Sequence, residues 1–148
     1  MLESGSPPNM HALTQHHDVE RSLLRLSTEI GTFTACFVSR SRAAVGAPCA
    51  FELSVEGALT MGVELSRSAE SAARLADEGE EVVIVAPVEH VEAAFPDGPD
   101  EGGGFVVTLR LARDGLVQLE LEPGALPEVG DPLALRVRRD RVRVYASF

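Results

Sequence analysis

From Gly130 to Tyr145 the chain reads GDPLALRVRRDRVRVY, and apolar and charged residues alternate along it with a period of two. That period fits a half-buried β-strand and is incompatible with an amphipathic helix. Leu133, Leu135, Val137, Val142 and Val144 fall on one face, and Arg136, Arg138, Arg141 and Arg143 on the other. Read as a hairpin turning at Arg139-Asp140, the stretch sets Arg138 opposite Arg141 and Arg136 opposite Arg143. Like charges facing each other across strands oppose pairing by about 0.2–1 kcal/mol each. Five arginines in eight residues, in a chain of formal net charge -10, therefore call for something negative over that face.

The same alternation occurs twice. GEEVVIVAPVEHVEA from Gly79 lies over GDPLALRVRRDRVRV from Gly130 without a gap, at an offset of 51 residues. Val82 then matches Leu133, Ile84 matches Leu135, Ala86 matches Val137, and Val91 matches Val142. A fainter third copy, VGAPCAFEL from Val45, resembles VGDPLALRV from Val129. The inward positions agree and the outward ones do not, since Val85, Pro87, His90 and Glu92 stand where the second copy has arginine. The shared strands thus do not need the arginines, which marks those side chains for a specific contact.

Other segments follow the same analysis. TFTACFV, Cys49 to Val55, Leu59 to Leu65, VVIVA, VEHVEAA, VVTLRL and LVQLELE read as strands, with the second and third expected to pair as a hairpin, and Arg113-Asp114-Gly115 as a tight turn. Two segments break the strand period. DVERSLLRLSTEI, with Val19, Leu23, Leu26 and Ile30 at helical spacing and Asp18 as N-cap, predicts a short helix. SRSAESAARLADEG, rich in alanine and ending at Gly79, predicts a second. Residues 1–17 read as a mobile leader, 18–95 as the helix plus a first β module, 96–104 as a linker, and 105–148 as a second β module. The expected fold is mainly β, as tandem small barrels with a short N-terminal helix and one further short helix.

Chemistry is sparse. His11, His16 and His17 fall in the leader, His90 stands alone, and Ser66, Ser68 and Ser71 have no partnered base nearby, so no catalytic or metal site is expected. The glycines at 102–104 lack a following helix or lysine and read as a hinge rather than a phosphate cradle. No cofactor is expected. Residues Glu52 to Glu101 hold thirteen acids against two arginines, while Gly102 to Phe148 holds six acids and seven arginines. This asymmetry favours self-association or a small anion over nucleic acid, which the acidic surface would repel. No apolar run approaches the ~18 residues of a membrane span, and the N-terminus has no secretory pattern, so a cytoplasmic location and no membrane partner are expected. Cys36 and Cys49 then read as reduced thiols.

Two family resemblances bear on function. The sequence of strand, turn, strand and G-D-x alternation ending in R-V-R-V-Y resembles the TOBE modules, related to molybdate-binding MOP domains, at the C-termini of ABC-transporter ATPases. Pro87, Glu89, His90 and Val91 match that family's Pro-Glu-His-Val with Val88 inserted, and Ala86 stands where the family has arginine. The resemblance implies OB-like barrels with ligand or regulatory roles, here without an ATPase domain and without the small-residue anion motif of molybdate binders. Arg21 and Arg25, spaced R-x-x-x-R, and the segment Ser27 to Gly31 more weakly resemble PilZ domains, which implies a cyclic dinucleotide ligand. The expectation is a non-enzymatic binding or regulatory module. Arg136, Arg138, Arg141 and Arg143 would dock an acidic protein surface or a second copy of the chain. The alternatives are a small anion, at those arginines or at Arg21 and Arg25, and a structural subunit of a larger assembly.

Overall fold

The computed structural model describes residues 10–38, 43–93, 104–113 and 115–148. Five strands close a barrel. β1 (Met10–Asp18), β2 (Leu23–Thr28) and β3 (Gly31–Phe37) form an antiparallel meander, and β4 (Pro48–Val55) returns to pair with β1. β12 (Val142–Ser147) completes the circuit, antiparallel to β4 along its length and parallel to β3 at Arg143↔Cys36 and Val144↔Phe37. Alternate residues of each strand point inward: Leu24 and Leu26, Phe33, Ala35 and Phe37, Phe51, Leu53 and Val55, Val142 and Val144 are all buried. Closure leaves no free barrel edge to be protected.

Between β4 and β12 the chain builds a seven-stranded sheet. Its strands are β5 (Ala58–Leu59), β6 (Leu65–Arg67), β7 (Arg74–Glu78), β8 (Glu81–Ala93), β9 (Phe105–Ala112), β10 (Gly115–Leu121) and β11 (Pro132–Arg138). The order is β5-β10-β9-β8-β11-β6, with β7 added on β8. β8 is the spine. Its first half is held by β7 on one edge and β11 on the other, and its second half by β9. Val82, Ile84 and Ala86 face the common core, while Val83 and Val85 are buried on the opposite face, directly across from Arg136 and Arg74. The long aliphatic stems of those arginines suit that place, with their charged heads left in water.

Barrel and sheet share one contiguous core and meet where β4 passes β10 and where β3 passes β7. The Leu75 amide donates to the Ile30 carbonyl at 2.9 Å, and a Cβ on Gly31 would sit 1.9 Å from the Leu75 carbonyl oxygen. Gly31 also has φ +136°, so both backbone conformation and space demand glycine there.

Several expectations are corrected. The segment expected as an N-terminal helix is the β1–β2 turn followed by β2, hydrogen-bonded on both sides. Neighbouring strands on either edge outweigh a weak helical spacing, because propensity is a small term beside tertiary pairing. The second expected helix is likewise absent, replaced by β6, a loop and β7. Of the expected leader, residues 10–17 belong to β1, a barrel strand, and 1–9 lie outside the described residues. Residues 49–55 do not pair with 59–65, since β4 lies between β1 and β12, and β5 and β6 join the sheet. VVIVA and VEHVEAA are one strand, β8, with a register shift between Val88 and His90. The expected arginine hairpin is not made either. β11 stays in the sheet, a 3-10 turn at Arg139–Arg141 crosses over, and β12 enters the barrel.

The repeat also acquires a different meaning. β8 and β11 are antiparallel neighbours in register Ile84↔Leu135, so each of these residues faces its own counterpart under the 51-residue offset. The two copies are partners about a local two-fold within one sheet. Strands pair across residues 96–104, β8 with β9 and β11, and β12 with β3 and β4, so the hydrogen bonding does not divide there. Of that segment only Gly104 is described; the turn at 113–115 likewise lacks Asp114, but β9 and β10 pair as a hairpin around it.

Candidate functional site

The negative charge required by the arginine stretch comes from the chain itself. Arg136 pairs with Glu78 and lies 3.5 Å from Glu81. Arg141 donates from Nε to the Glu56 carbonyl at 2.9 Å, from Nη2 to the Ala58 carbonyl at 3.2 Å, and from Nη1 to the Glu64 carboxylate at 3.2 Å. Arg143 Nε lies 2.7 Å from the Glu56 carboxylate. Arg138 is the exception. Its side chain is 70% exposed and, among the described residues, reaches only Asp140, at 3.5 Å.

Arg139, which the alternating pattern passes over as a turn residue, is the most deeply set of the group. Its side chain is 19% exposed, donates to the carbonyls of Thr34 at 3.2 Å and Gly79 at 2.8 Å, and lies 3.4 Å from Asp77. Asp77 in turn accepts from the Thr34 amide and hydroxyl, both at 2.8 Å. The cluster ties β3 of the barrel to β7 and the β7–β8 turn. The one signal for it in the sequence is the doubled Arg138-Arg139, which interrupts the alternation.

These contacts shift titration in the expected directions. The Thr60 amide and the Arg141 guanidinium hold the Glu64 carboxyl below its ordinary range, against an upward push from burial. Arg136 lowers Glu78, and Arg110 lowers Glu89 through a two-pronged pair at 3.0 Å. The Glu56 carboxylate raises Arg143. Burial raises the Cys49 thiol. Both cysteines are free, with Cys49 inside the barrel wall and Cys36 half-buried on β3 against the Arg139 carbonyl.

Arg21 and Arg25 are placed differently. Arg21 sits in the β1–β2 turn, where the Asp18 carboxylate accepts its backbone amide at 3.1 Å, and Ser22 next to it is left-handed at φ 55°. Arg25 stands in β2, flanked by His16 of β1 and Thr34 of β3. Both side chains are exposed, and neither makes an ion pair or hydrogen bond among the described residues. The three N-terminal histidines separate. His11 and His16 are exposed, whereas His17 accepts from the Ala43 amide at 3.0 Å and packs edge-on against Phe37. No group of three metal-ligating side chains forms among the described residues.

Further along the same hairpin, toward the β2–β3 turn, lies a feature the sequence reading missed. An open groove of about 640 Å³ runs over the barrel wall between β2 and β4, lined by His11, Leu13, Ser27, Glu29, Pro48 and Ala50 among others. Leu13 lies directly between Ser27 and Pro48, and His11 opposite Ala50. The available signal was the alternation Met10, Ala12, Thr14, all buried, with His11 and Leu13 outward, inside a segment that looks like a polar leader.

Fold and site together define a mainly β protein built on a closed five-stranded barrel with an inserted sheet. Among the described residues no helix is long and apolar enough to cross a membrane. Neither protein-family models nor curated proteins give a match to this chain.

Proposed function

We propose that the protein is a binding module rather than an enzyme, and that it takes a small anion at the exposed arginines of the β1–β2 hairpin, Arg25 of β2 and Arg21 of the turn. The observation that carries this reading is the contrast between the two arginine sets. Arg136, Arg139, Arg141 and Arg143 are engaged by the chain's own acids and carbonyls, while Arg21 and Arg25 are exposed to solvent, Arg25 beside His16. An anion at the first set would have to displace a resident carboxylate. At the second it meets two planar donor forks suited to carboxylate or phosphate. A left-handed non-glycine residue in the same turn, Ser22, is the kind of local strain that collects at ligand sites.

The barrel supports an OB-like reading at the level of topology. In chain order its strands run first, second, third, fifth, fourth, with the third and fifth parallel, and the sheet enters between the fourth and fifth. The likeness to TOBE and PilZ modules is proposed on the residues quoted above, and with it a regulatory role in the cytoplasm. The test is a melting curve with pyrophosphate and, separately, cyclic di-GMP. A ligand at 100 times its Kd stabilises by about 2.7 kcal/mol, which moves the melting temperature by several degrees. The expected result is a rise with one or both that Arg25→Ala abolishes. No rise with either overturns the anion reading.

A second reading, docking onto an acidic surface or another copy, is favoured by Arg138 alone. Native mass spectrometry at low and high salt checks it: a salt-sensitive dimer that Arg138→Ala dissociates supports docking, and a monomer at both salts removes it.

A further inference from the structure

The groove and Arg25 lie on one face. Outward residues on β2 alternate, so Arg25 and Ser27 sit on the same side about 7 Å apart, with His16 and Leu13 beside them on β1. The row continues through Leu13 to Pro48 on β4. This strip has a direction. Arg25 and His16 stand at one end, Leu13 and Pro48 occupy the middle, and Ala50, His11 and the exposed carboxylate Glu29 lie at the far end. Leu13 is 52% exposed, although large aliphatic side chains in this chain are mostly interior.

We propose that the ligand is an amphiphilic organic anion. Its head, a carboxylate or phosphate monoester, sits on Arg25, and its apolar body lies along the groove over Leu13 and Pro48 toward Ala50. The inference rests on the anion reading above and deepens it. Charge fixes the orientation, because Glu29 repels an anionic head at the far end while the Arg25 guanidinium attracts it at the near end. An inorganic anion leaves the groove in water. A ligand with a short alkyl chain covers Leu13 and binds about fourfold tighter for each methylene it buries.

Isothermal titration of the full chain with octyl phosphate, octanoate and inorganic phosphate, each alkyl probe below its micelle concentration, tests this. Octyl phosphate or octanoate is expected to bind at least about tenfold tighter than phosphate. Leu13→Glu should remove that advantage and leave phosphate binding in place, and Arg25→Ala should weaken all three. Leu13 is half in solvent, so its replacement does not threaten folding, and an unchanged melting temperature without ligand verifies this. Equal affinity for the alkyl and inorganic anions overturns the amphiphile while leaving the anion site standing. Alkyl binding indifferent to Arg25→Ala overturns the charged end, and with it the anion reading. Binding of the phosphate head but not the carboxylate, or the reverse, identifies the head group.

Discussion

Arg141 is held by two main-chain carbonyls and one carboxylate, so its removal leaves the carbonyls of Glu56 and Ala58 without that donor. Arg141→Ala is therefore expected to cost about 1.5–3 kcal/mol, read as a lowered urea midpoint with unchanged slope. Gly57, at φ +88°, would put a Cβ 2.9 Å from Arg141 Nη2, so the turn is shaped around the guanidinium. Gly31→Ala should do more damage. Its Cβ meets backbone rather than a flexible side chain, and a loss above about 3 kcal/mol, or failure to fold, is expected. The lowered carboxyl of Glu64 carries a sign as well. An acid whose pKa is lower folded than unfolded contributes stability above the unfolded value, and that contribution is lost as pH falls through the folded value. Urea midpoints should therefore drop as pH is taken below the ordinary carboxylate range, and Glu64→Gln should flatten that part of the profile.

At the scale of elements, β2 separates the helical and extended readings of one segment. In the helical reading Val19 is a core residue; in the strand it is an exposed turn residue, and Leu24 and Leu26 are fully buried. Val19→Ser should thus change stability by less than about 0.5 kcal/mol, while Leu24→Ala should cost about 2–5 kcal/mol. Chemical denaturation of the two variants decides between them, and the reverse order of cost would restore the helix. The Gly130–Tyr145 segment carries a related lesson. Its alternation correctly sorts Leu133, Leu135, Val137, Val142 and Val144 inward, yet it is silent on which strand each half meets. The 3-10 turn preserves the inward phase from Val137 to Val142 while moving the chain from sheet to barrel.

At the scale of the whole molecule, the barrel takes its fifth strand from the far end of the sequence, and β8 needs β9 and β11 from beyond residue 104. A fragment of residues 1–95 is accordingly expected not to fold, showing no cooperative unfolding by circular dichroism, whereas the full chain should melt in one transition. Much of this architecture was legible in advance. Period-two hydrophobicity sets which side of a strand is buried whatever its partner, which is why the sequence alone determined the β class, most strands and their inward faces. The need for negative charge near the arginines was legible as well. Its source was not, because Glu56, Glu64, Glu78 and Asp77 come from segments 58 to 87 residues away, and only folding brings them within about 4 Å. The strand fate of β1 and β2 was hidden for a similar reason, since short segments with weak periodicity take their conformation from neighbours on both edges. Local pattern therefore determined what each residue faces. Tertiary pairing decided whom each strand meets, which arginines are consumed, and that Arg25 emerges beside an apolar groove.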